Sequence, residues 1–178
     1  RQTNDLSRIV DEFSKFARMP EPDKQSEDII KIVNSAISLQ QSGFPEILFK
    51  RKIIEGPIMF ELDATMISQA FINLLKNAGE SIESRQNKDE SSEVKGQIDI
   101  IVKRHDTFLE LSVIDNGVGL PADRARLFEP YVTTRENGTG LGLAIVKKII
   151  EEHGGTFRLE DAPKYKNSSK VGAAAVIE

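Results

Sequence analysis

Residues 136–152 read ENGTGLGLAIVKKIIEE, with three glycines at alternate positions directly ahead of a helix-forming run. Gly138, Gly140 and Gly142 are these glycines, and apolar side chains then recur at helical spacing. Free backbone N–H groups at a helix start form an anion site, and phosphate is the usual occupant. A flexible loop before a helix is the other interpretation. Because a glycine inside a helix costs about 1 kcal/mol relative to alanine, Gly142 favours the close approach of a phosphate or of another backbone segment.

The stretch differs from two well-known glycine motifs. The sequence contains no G-x-x-x-x-G-K-[ST], which excludes a P-loop. The glycine spacing does not fit the dinucleotide pattern G-x-G-x-x-G, and no predicted strand leads directly into it.

The composition excludes several classes of function. The 178 residues, 39% hydrophobic and 29% charged, are typical of a soluble globular domain. A net charge of −4 supplies no basic field for nucleic acid, and the absence of cysteine excludes disulfides, zinc thiolates and a cysteine nucleophile. The apolar runs are too short to span a membrane, and we expect no membrane contact. The chain opens on Arg1 without a signal peptide, so we expect a piece of a longer protein.

The remaining pattern mixes helices with strands. Residues 1–19 have helical spacing that ends at Pro20 and Pro22, and we place a boundary between 1–22 and a main domain, 23–178. Helices are predicted from Ser26 as N-cap to about Gln41, closed by Gly43, from Asp63 as N-cap to about Ser84, and from Gly140 to His153. Strands are predicted near 46–54, 57–62, 97–104, 108–114, 156–161 and 171–177.

The connections complete this prediction. Residues 85–96 are predicted to be a solvated loop, and residues 121–139 to be irregular apart from a short helical turn at 122–128. Several strands are joined as hairpins. The pattern therefore predicts an α+β two-layer sandwich, with a mixed, mostly antiparallel sheet and helices on one face.

The helix that contains QAFINLLKNAGES has two distinct faces. Its apolar arc comprises Ile67, Ala70, Phe71, Leu74, Leu75, Ala78 and Ile82. A narrow polar stripe comprises Gln69, Asn73, Asn77 and Glu80. The side-chain oxygen of Asn77 could bind a Mg²⁺ that carries phosphates, although a solvated helix face would show the same pattern.

A second candidate stretch is VIDNGVGLP, residues 113–121. Asp115 ends an apolar strand, where its carboxylate could accept a hydrogen bond from an exocyclic amine such as that of adenine. Gly117 and Gly119 would let the backbone approach a flat ring. An ordinary Asp-Asn-Gly turn is the alternative.

These stretches occur in the order N-x-x-x-N-A, D-x-G-x-G and G-T-G-L-G-L, with LFEPYVTTR between the last two. Together they resemble the N box, first G box, F box and second G box of the ATP-binding catalytic domain of bacterial sensor histidine kinases. That domain has the Bergerat fold and belongs to a group shared with gyrase, Hsp90 and MutL. The resemblance covers about residues 26–178. The stretches DEFSKFARMPEP and PYVTTRENGTGLGLAIVKKIIEEHGG look especially like the NtrY type of nitrogen-regulation sensor kinase.

The resemblance implies ATP and Mg²⁺ as cofactors and assigns a role to each motif. Asn77 would bind Mg²⁺ with Asn73 beside the phosphates. Asp115 would bind the adenine amine, and Gly117 and Gly119 would bound the base pocket. The segment from Phe128 to Gly138 would form a mobile lid over ATP, and Thr134 would belong to it. The phosphates would be bound by the backbone N–H groups of Gly138, Thr139, Gly140, Leu141 and Gly142, and by Arg135 as a cation. Lys76 is a weaker candidate for that charge.

Two departures from the family pattern matter. Many sensor kinases carry a lysine three residues after the magnesium asparagine, where this chain has Glu80.

The acceptor histidine lies on an upstream helical hairpin in such kinases. This chain has only His105, in a predicted turn, and His153, at a predicted helix end. We interpret residues 1–22 as the last part of the second hairpin helix with its linker. The chain is therefore expected to bind ATP without phosphorylating itself.

The residue four positions before Asn77 favours a kinase over a hydrolase. The related gyrase-like ATPases carry there a glutamate that activates water as a general base, and this chain carries Asn73.

An anti-sigma-type serine kinase and a nucleotide-gated interaction module without transfer remain alternatives. For a sensor kinase, a response regulator is the expected partner, and the parent protein is expected to be anchored in the bacterial inner membrane with this part in the cytoplasm.

Overall fold

Seven strands and three helices make up the regular structure of the described residues. The computed structural model describes Ser14 and residues 18–88, 94–124, 126–133, 138–163 and 172–178. The strands are β1 (Gln25–Asp28), β2 (Leu48–Ile53), β3 (Met59–Leu62), β4 (Gln97–Arg104), β5 (Leu109–Asp115), β6 (Phe157–Asp161) and β7 (Ala173–Ile177). The helices are α1 (Ile29–Gly43), α2 (Ala64–Lys88) and α3 (Gly142–Glu152).

The main layer is a five-stranded sheet in the order β2-β4-β5-β7-β6. β2 runs parallel to β4, and all other neighbours in this sheet are antiparallel. β1 pairs with β3 in a separate two-stranded sheet. β2 and β3, which flank the Gly56-Pro57 turn, therefore do not form a hairpin with each other, whereas β4 and β5 do. The predicted α+β sandwich with a mixed, mostly antiparallel sheet is confirmed.

The helices cover one face of the large sheet, and the core lies between the two layers. β4 shows the alternation, because Ile98, Ile100 and Val102 are buried while Lys103 is exposed. The whole predicted apolar arc of α2 is buried. None of the helices in the described ranges combines the length and apolar character that a membrane crossing requires.

The first helix is capped by Asp28, and the prediction of Ser26 as the cap is wrong. Asp28 is buried, and its Oδ1 accepts hydrogen bonds from the N–H groups of Ile30 and Ile58, both at 3.1 Å. Ser26 lies within β1 instead. One carboxylate thus caps α1 and also holds the segment that leads into β3.

The other helix boundaries follow local sequence signals more closely. Asp63 caps α2 as predicted, with its Oδ1 accepting from the N–H groups of Thr65 and Met66, both at 3.0 Å. Gly43 is the last residue of α1 rather than the residue after it. The predicted loop at 85–96 is wrong at its start, since α2 continues to Lys88 and buries Arg85. Residues 1–13 and 15–17 lie outside the described residues, so the predicted boundary after residue 22 stays a prediction.

We expect Asp28→Ala to lower the free energy of unfolding by about 2 kcal/mol, because it removes a helix cap and leaves the N–H of Ile58 without its acceptor. Asp28→Asn keeps the acceptor oxygen and should retain most of that stability. Urea denaturation of both variants measures the difference. Equal losses in the two variants would contradict this role for the carboxylate.

Candidate functional site

The polar stripe of α2 lies at the edge of the core. Asn73 and Asn77 are half-buried one turn apart, whereas Gln69 is exposed. Glu80 Oε1 lies 3.8 Å from Lys76 Nζ, so the residue that departs from the family pattern pairs with the weaker of the two predicted cations. An exposed pair of this kind contributes about 0.5 kcal/mol.

Asp115 is a buried carboxylate at the end of β5. Its Oδ1 accepts hydrogen bonds from the N–H of Gly117 at 2.8 Å and from the hydroxyl of Ser81 at 3.2 Å. A Cβ added to Gly117 would lie 2.1 Å from Ser81 Oγ, so only glycine lets this turn pack so closely against α2. Gly119 follows with φ +79°, a left-handed conformation that favours glycine.

Asn116 and Arg85 hold this turn, and neither residue was singled out from the sequence. Asn116 Oδ1 accepts from the N–H of Gln97, and its Nδ2 donates to the carbonyl of Lys95, both at 2.9 Å. Arg85 donates to the carbonyls of Asn116, at 2.6 Å, and Val94, at 2.8 Å. The spacing of the helix could have indicated Arg85, because it lies eight residues after Asn77 and so on the same face of α2.

The glycine-rich stretch is anchored by Leu141 and leads into helix α3. Leu141 is fully buried, whereas Gly138, Thr139 and Gly140 are half-buried. Helix α3 begins at Gly142, two residues later than predicted, and no described side chain caps it. The N–H of Leu141 points to Thr139 Oγ1 at 3.5 Å. The first N–H groups of α3 have no acceptor within the helix and give this end a partial positive charge.

The start of α3 meets the polar stripe of α2. A Cβ added to Gly142 would lie 3.6 Å from Nδ2 and 3.9 Å from Oδ1 of Asn77. An amide oxygen of the kind that Mg²⁺ accepts therefore shares one site with a helix start that favours phosphate. Within the described ranges, no three His, Asp or Glu side chains come together as a metal cluster. The Asn77 amide oxygen beside this helix start fits an ion that also takes oxygen ligands from phosphates.

The segment before α3 is closed at its base by two residues in left-handed conformations. Tyr131, with φ +67°, donates its N–H to the carbonyl of Gly140, with φ +69°, at 3.1 Å. A Cβ on Gly140 would lie 2.6 Å from the carbonyl carbon of Tyr131, so glycine is required there. Of the predicted lid residues, Thr134 and Arg135 lie outside the described residues.

Phe128, at the other predicted end of the lid, is fixed to the domain by its ring. It meets the ring of Phe157 on β6 edge-on, with 5.5 Å between centroids. Lys147 Nζ of α3 lies 5.3 Å from the Phe128 centroid. Phe128 therefore anchors the segment to the sheet and to α3.

The two histidines make contacts of their own. His153 Nε2 accepts the N–H of Asp63 at 3.0 Å, and its Nδ1 lies 2.7 Å from the carbonyl of Ile149. Because Nε2 accepts, Nδ1 is the ring nitrogen that donates to the Ile149 carbonyl. His105 is exposed at its turn and stacks on Phe108, with 4.3 Å between ring centroids.

Known proteins match both the sequence and the fold. The chain is 48% identical over 168 residues to the nitrogen regulation protein NtrY of Azorhizobium caulinodans, covering 92% of this chain and 21% of that protein. It is 40% identical over 156 residues to a putative NtrY-like sensor histidine kinase of Rickettsia felis, covering 87% of this chain and 25% of that protein. The chain thus spans about a fifth to a quarter of the length of these two relatives.

A solved structure of full-length ShkA in complex with AMPPNP superposes on 99% of this chain and 36% of that protein, with a TM-score of 0.77 at 25% identity. Residues 62–177 match the family described as histidine kinase-, DNA gyrase B- and HSP90-like ATPases. This matched range contains α2, the turn after β5 and the glycine-rich stretch. The chain therefore belongs to the histidine kinase-, DNA gyrase B- and HSP90-like ATPase family.

Proposed function

We propose that this chain binds Mg-ATP between α2, the turn after β5 and the start of α3, and serves as the catalytic domain of a sensor histidine kinase. The observation that carries the proposal is the meeting of the Asn77 amide with the helix start at Gly142. Membership of an ATPase family supports nucleotide use. The similar ShkA structure was solved with AMPPNP, a triphosphate nucleotide analogue, which supports the same kind of ligand here.

The two ends of the site would bind different parts of ATP. Asp115 would accept a hydrogen bond from the adenine amine, and Gly117 and Gly119 would make room for the ring. Asn77 would hold Mg²⁺, which supplies electrostatic stabilisation of the phosphates when it is bound. The backbone N–H groups of the stretch Gly138, Thr139, Gly140, Leu141 and Gly142 would face the phosphates, and Thr134 and Arg135 would add contacts from the lid.

The residue at position 73 would preserve ATP for transfer to a protein. Asn73 is half-buried one turn before Asn77, and an amide cannot take a proton from water at neutral pH. Hydrolysis would therefore be slow, because a positioned general base contributes about 10²-fold to 10⁴-fold. Positioning and charge stabilisation supply most of what phosphoryl transfer needs.

The transfer would take place within a longer protein. The acceptor would be a histidine on a helical hairpin, of which residues 1–22 would be the last part, and a response regulator would receive the phosphoryl group next. The relatives named NtrY and NtrY-like sensor histidine kinase support this setting. By the same similarity, the parent protein would be anchored in a bacterial inner membrane.

Replacing the metal-binding amide tests the phosphate end of the site. We expect Asn77→Ala to abolish the gain in ATP affinity that Mg²⁺ provides, a loss of about tenfold or more. Isothermal titration of ATP with and without Mg²⁺ measures it. Asn87→Ala is the matched control, because Asn87 is an exposed asparagine on the same helix. Retention of the full magnesium effect in Asn77→Ala would remove Asn77 from the metal site.

Restoring a general base tests the distinction between kinase and hydrolase. We expect Asn73→Glu to raise the rate of ATP hydrolysis by about tenfold or more, since a carboxylate at this position could activate water. Phosphate release from purified protein measures the rate, with Asn87→Glu as the control for added charge on α2. An unchanged rate would show that position 73 does not govern hydrolysis.

Supplying the acceptor in trans tests the transfer itself. With labelled ATP and Mg²⁺, we expect label on the histidine of a separately produced NtrY-type helical hairpin, and none on His105 or His153 of the chain alone. Acid-labile label on the hairpin, measured after electrophoresis, would support the sensor kinase. Acid-stable phosphoserine on a small separate protein would favour an anti-sigma-type kinase, and ATP binding without transfer would favour an interaction module.

A further inference from the structure

The polar stripe of α2 continues beyond the residues assigned to the phosphate end. Ser81 and Arg85 follow Asn77 at steps of four residues, so the three side chains share one face of the helix. Ser81 is 8% exposed and Arg85 is 4% exposed. Polar side chains this deeply buried need hydrogen-bond partners. The groups that Ser81 and Arg85 contact therefore indicate their role in the site.

Ser81 joins α2 to both sides of the turn after β5. Its hydroxyl donates to Asp115 Oδ1 at 3.2 Å and accepts the N–H of Val118 at 3.1 Å. A hydroxyl has one proton to donate, and here the carboxylate takes it while the backbone N–H occupies a lone pair. Rotation of the Asp115 carboxylate would break this contact and also the contact from Gly117.

Arg85 holds the same turn one helical turn further along α2. Its guanidinium donates to the carbonyl of Asn116 and, with another nitrogen, to the carbonyl of Val94, which lies three residues before β4. Asn116 stands between Asp115 and Gly117 in the sequence. The position of the Asn116 carbonyl therefore determines the path of the backbone between Asp115 and Gly117.

We infer that Ser81 and Arg85 are positioning residues that hold the Asp115 turn in the orientation required for recognition of the base. One helix then carries the magnesium ligand Asn77 and, at about 6 and 12 Å along its axis, the two residues that place the base-binding carboxylate. The spacing between the two ends of the site is set by a single rigid element. This inference rests on the proposed function, because it takes Asp115 as the acceptor for the adenine amine.

The test compares two serines of the same helix. Ser81→Ala removes the contact with Asp115, whereas Ser84→Ala removes a hydroxyl that donates to the carbonyl of Glu80 in the same helix, at 2.8 Å. Affinities are measured by titration calorimetry for ATP and for inosine triphosphate, which carries an oxygen in place of the amine. We expect Ser81→Ala to weaken ATP about tenfold and inosine triphosphate much less, so that the preference for ATP falls, and Ser84→Ala to leave both affinities unchanged.

Arg85→Lys provides a second variant that keeps the buried charge but cannot make the two-nitrogen contact. We expect the same fall in the preference for ATP, while the factor by which Mg²⁺ raises ATP affinity stays at its original value, since Asn77 is intact. Thermal unfolding of each variant reports the structural effect separately. Equal weakening of both nucleotides, or a lower melting temperature with the preference retained, would overturn the positioning role.

The unmodified chain distinguishes this inference from the function on which it rests. If it binds ATP and inosine triphosphate equally well, the role proposed for Asp115 is wrong and the inference fails with it. If it prefers ATP and Ser81→Ala keeps that preference in full, the inference alone is wrong. A preference that falls in Ser81→Ala and Arg85→Lys but not in Ser84→Ala supports both.

Discussion

The close packing of the turn at Asp115 and Asn116 against its neighbours is the constraint on which the site depends. The turn lies against α2 with no room for a side chain at Gly117. The Asn116 side chain is hydrogen-bonded to Lys95 and to Gln97, the first residue of β4. A Cβ on Gly172, just before β7, would lie 1.8 Å from the carbonyl oxygen of Asp115. The position of one carboxylate is therefore fixed by two strands, one helix and two glycines.

Helix α2 joins the stability of the domain to the geometry of the site. Its apolar arc lies in the core, while Asn77 faces the start of α3, and Ser81 and Arg85 contact the turn after β5. Because the two faces are parts of one rigid helix, a shift that repacks the arc also moves Asn77, Ser81 and Arg85 together. Substitutions within the arc are thus expected to alter the site even though their side chains never reach it.

The features that the sequence predicted are those that local pattern determines. The apolar arc of α2, its cap at Asp63 and the strand at 97–104 all follow from residues a few positions apart, and the structure has each of them. Asp28 was missed because half of its role is a contact with Ile58, thirty residues away. Arg85 was missed because it stands at the start of a polar run, and its acceptors are backbone carbonyls that composition does not reveal.

The glycines of the site separate into those that the protein itself requires and one that it does not. Gly117 and Gly140 are required by close contacts with Ser81 and Tyr131. At Gly142 an added Cβ would make only ordinary contacts with the Asn77 amide, and its φ is not in the left-handed region. Alanine would stabilise the first turn of α3 by about 1 kcal/mol, so packing and helix propensity both favour a side chain there. We propose that the advantage of bare backbone at Gly142 lies with a ligand, because a phosphate beside Asn77 is an anion that the charge of this helix start favours.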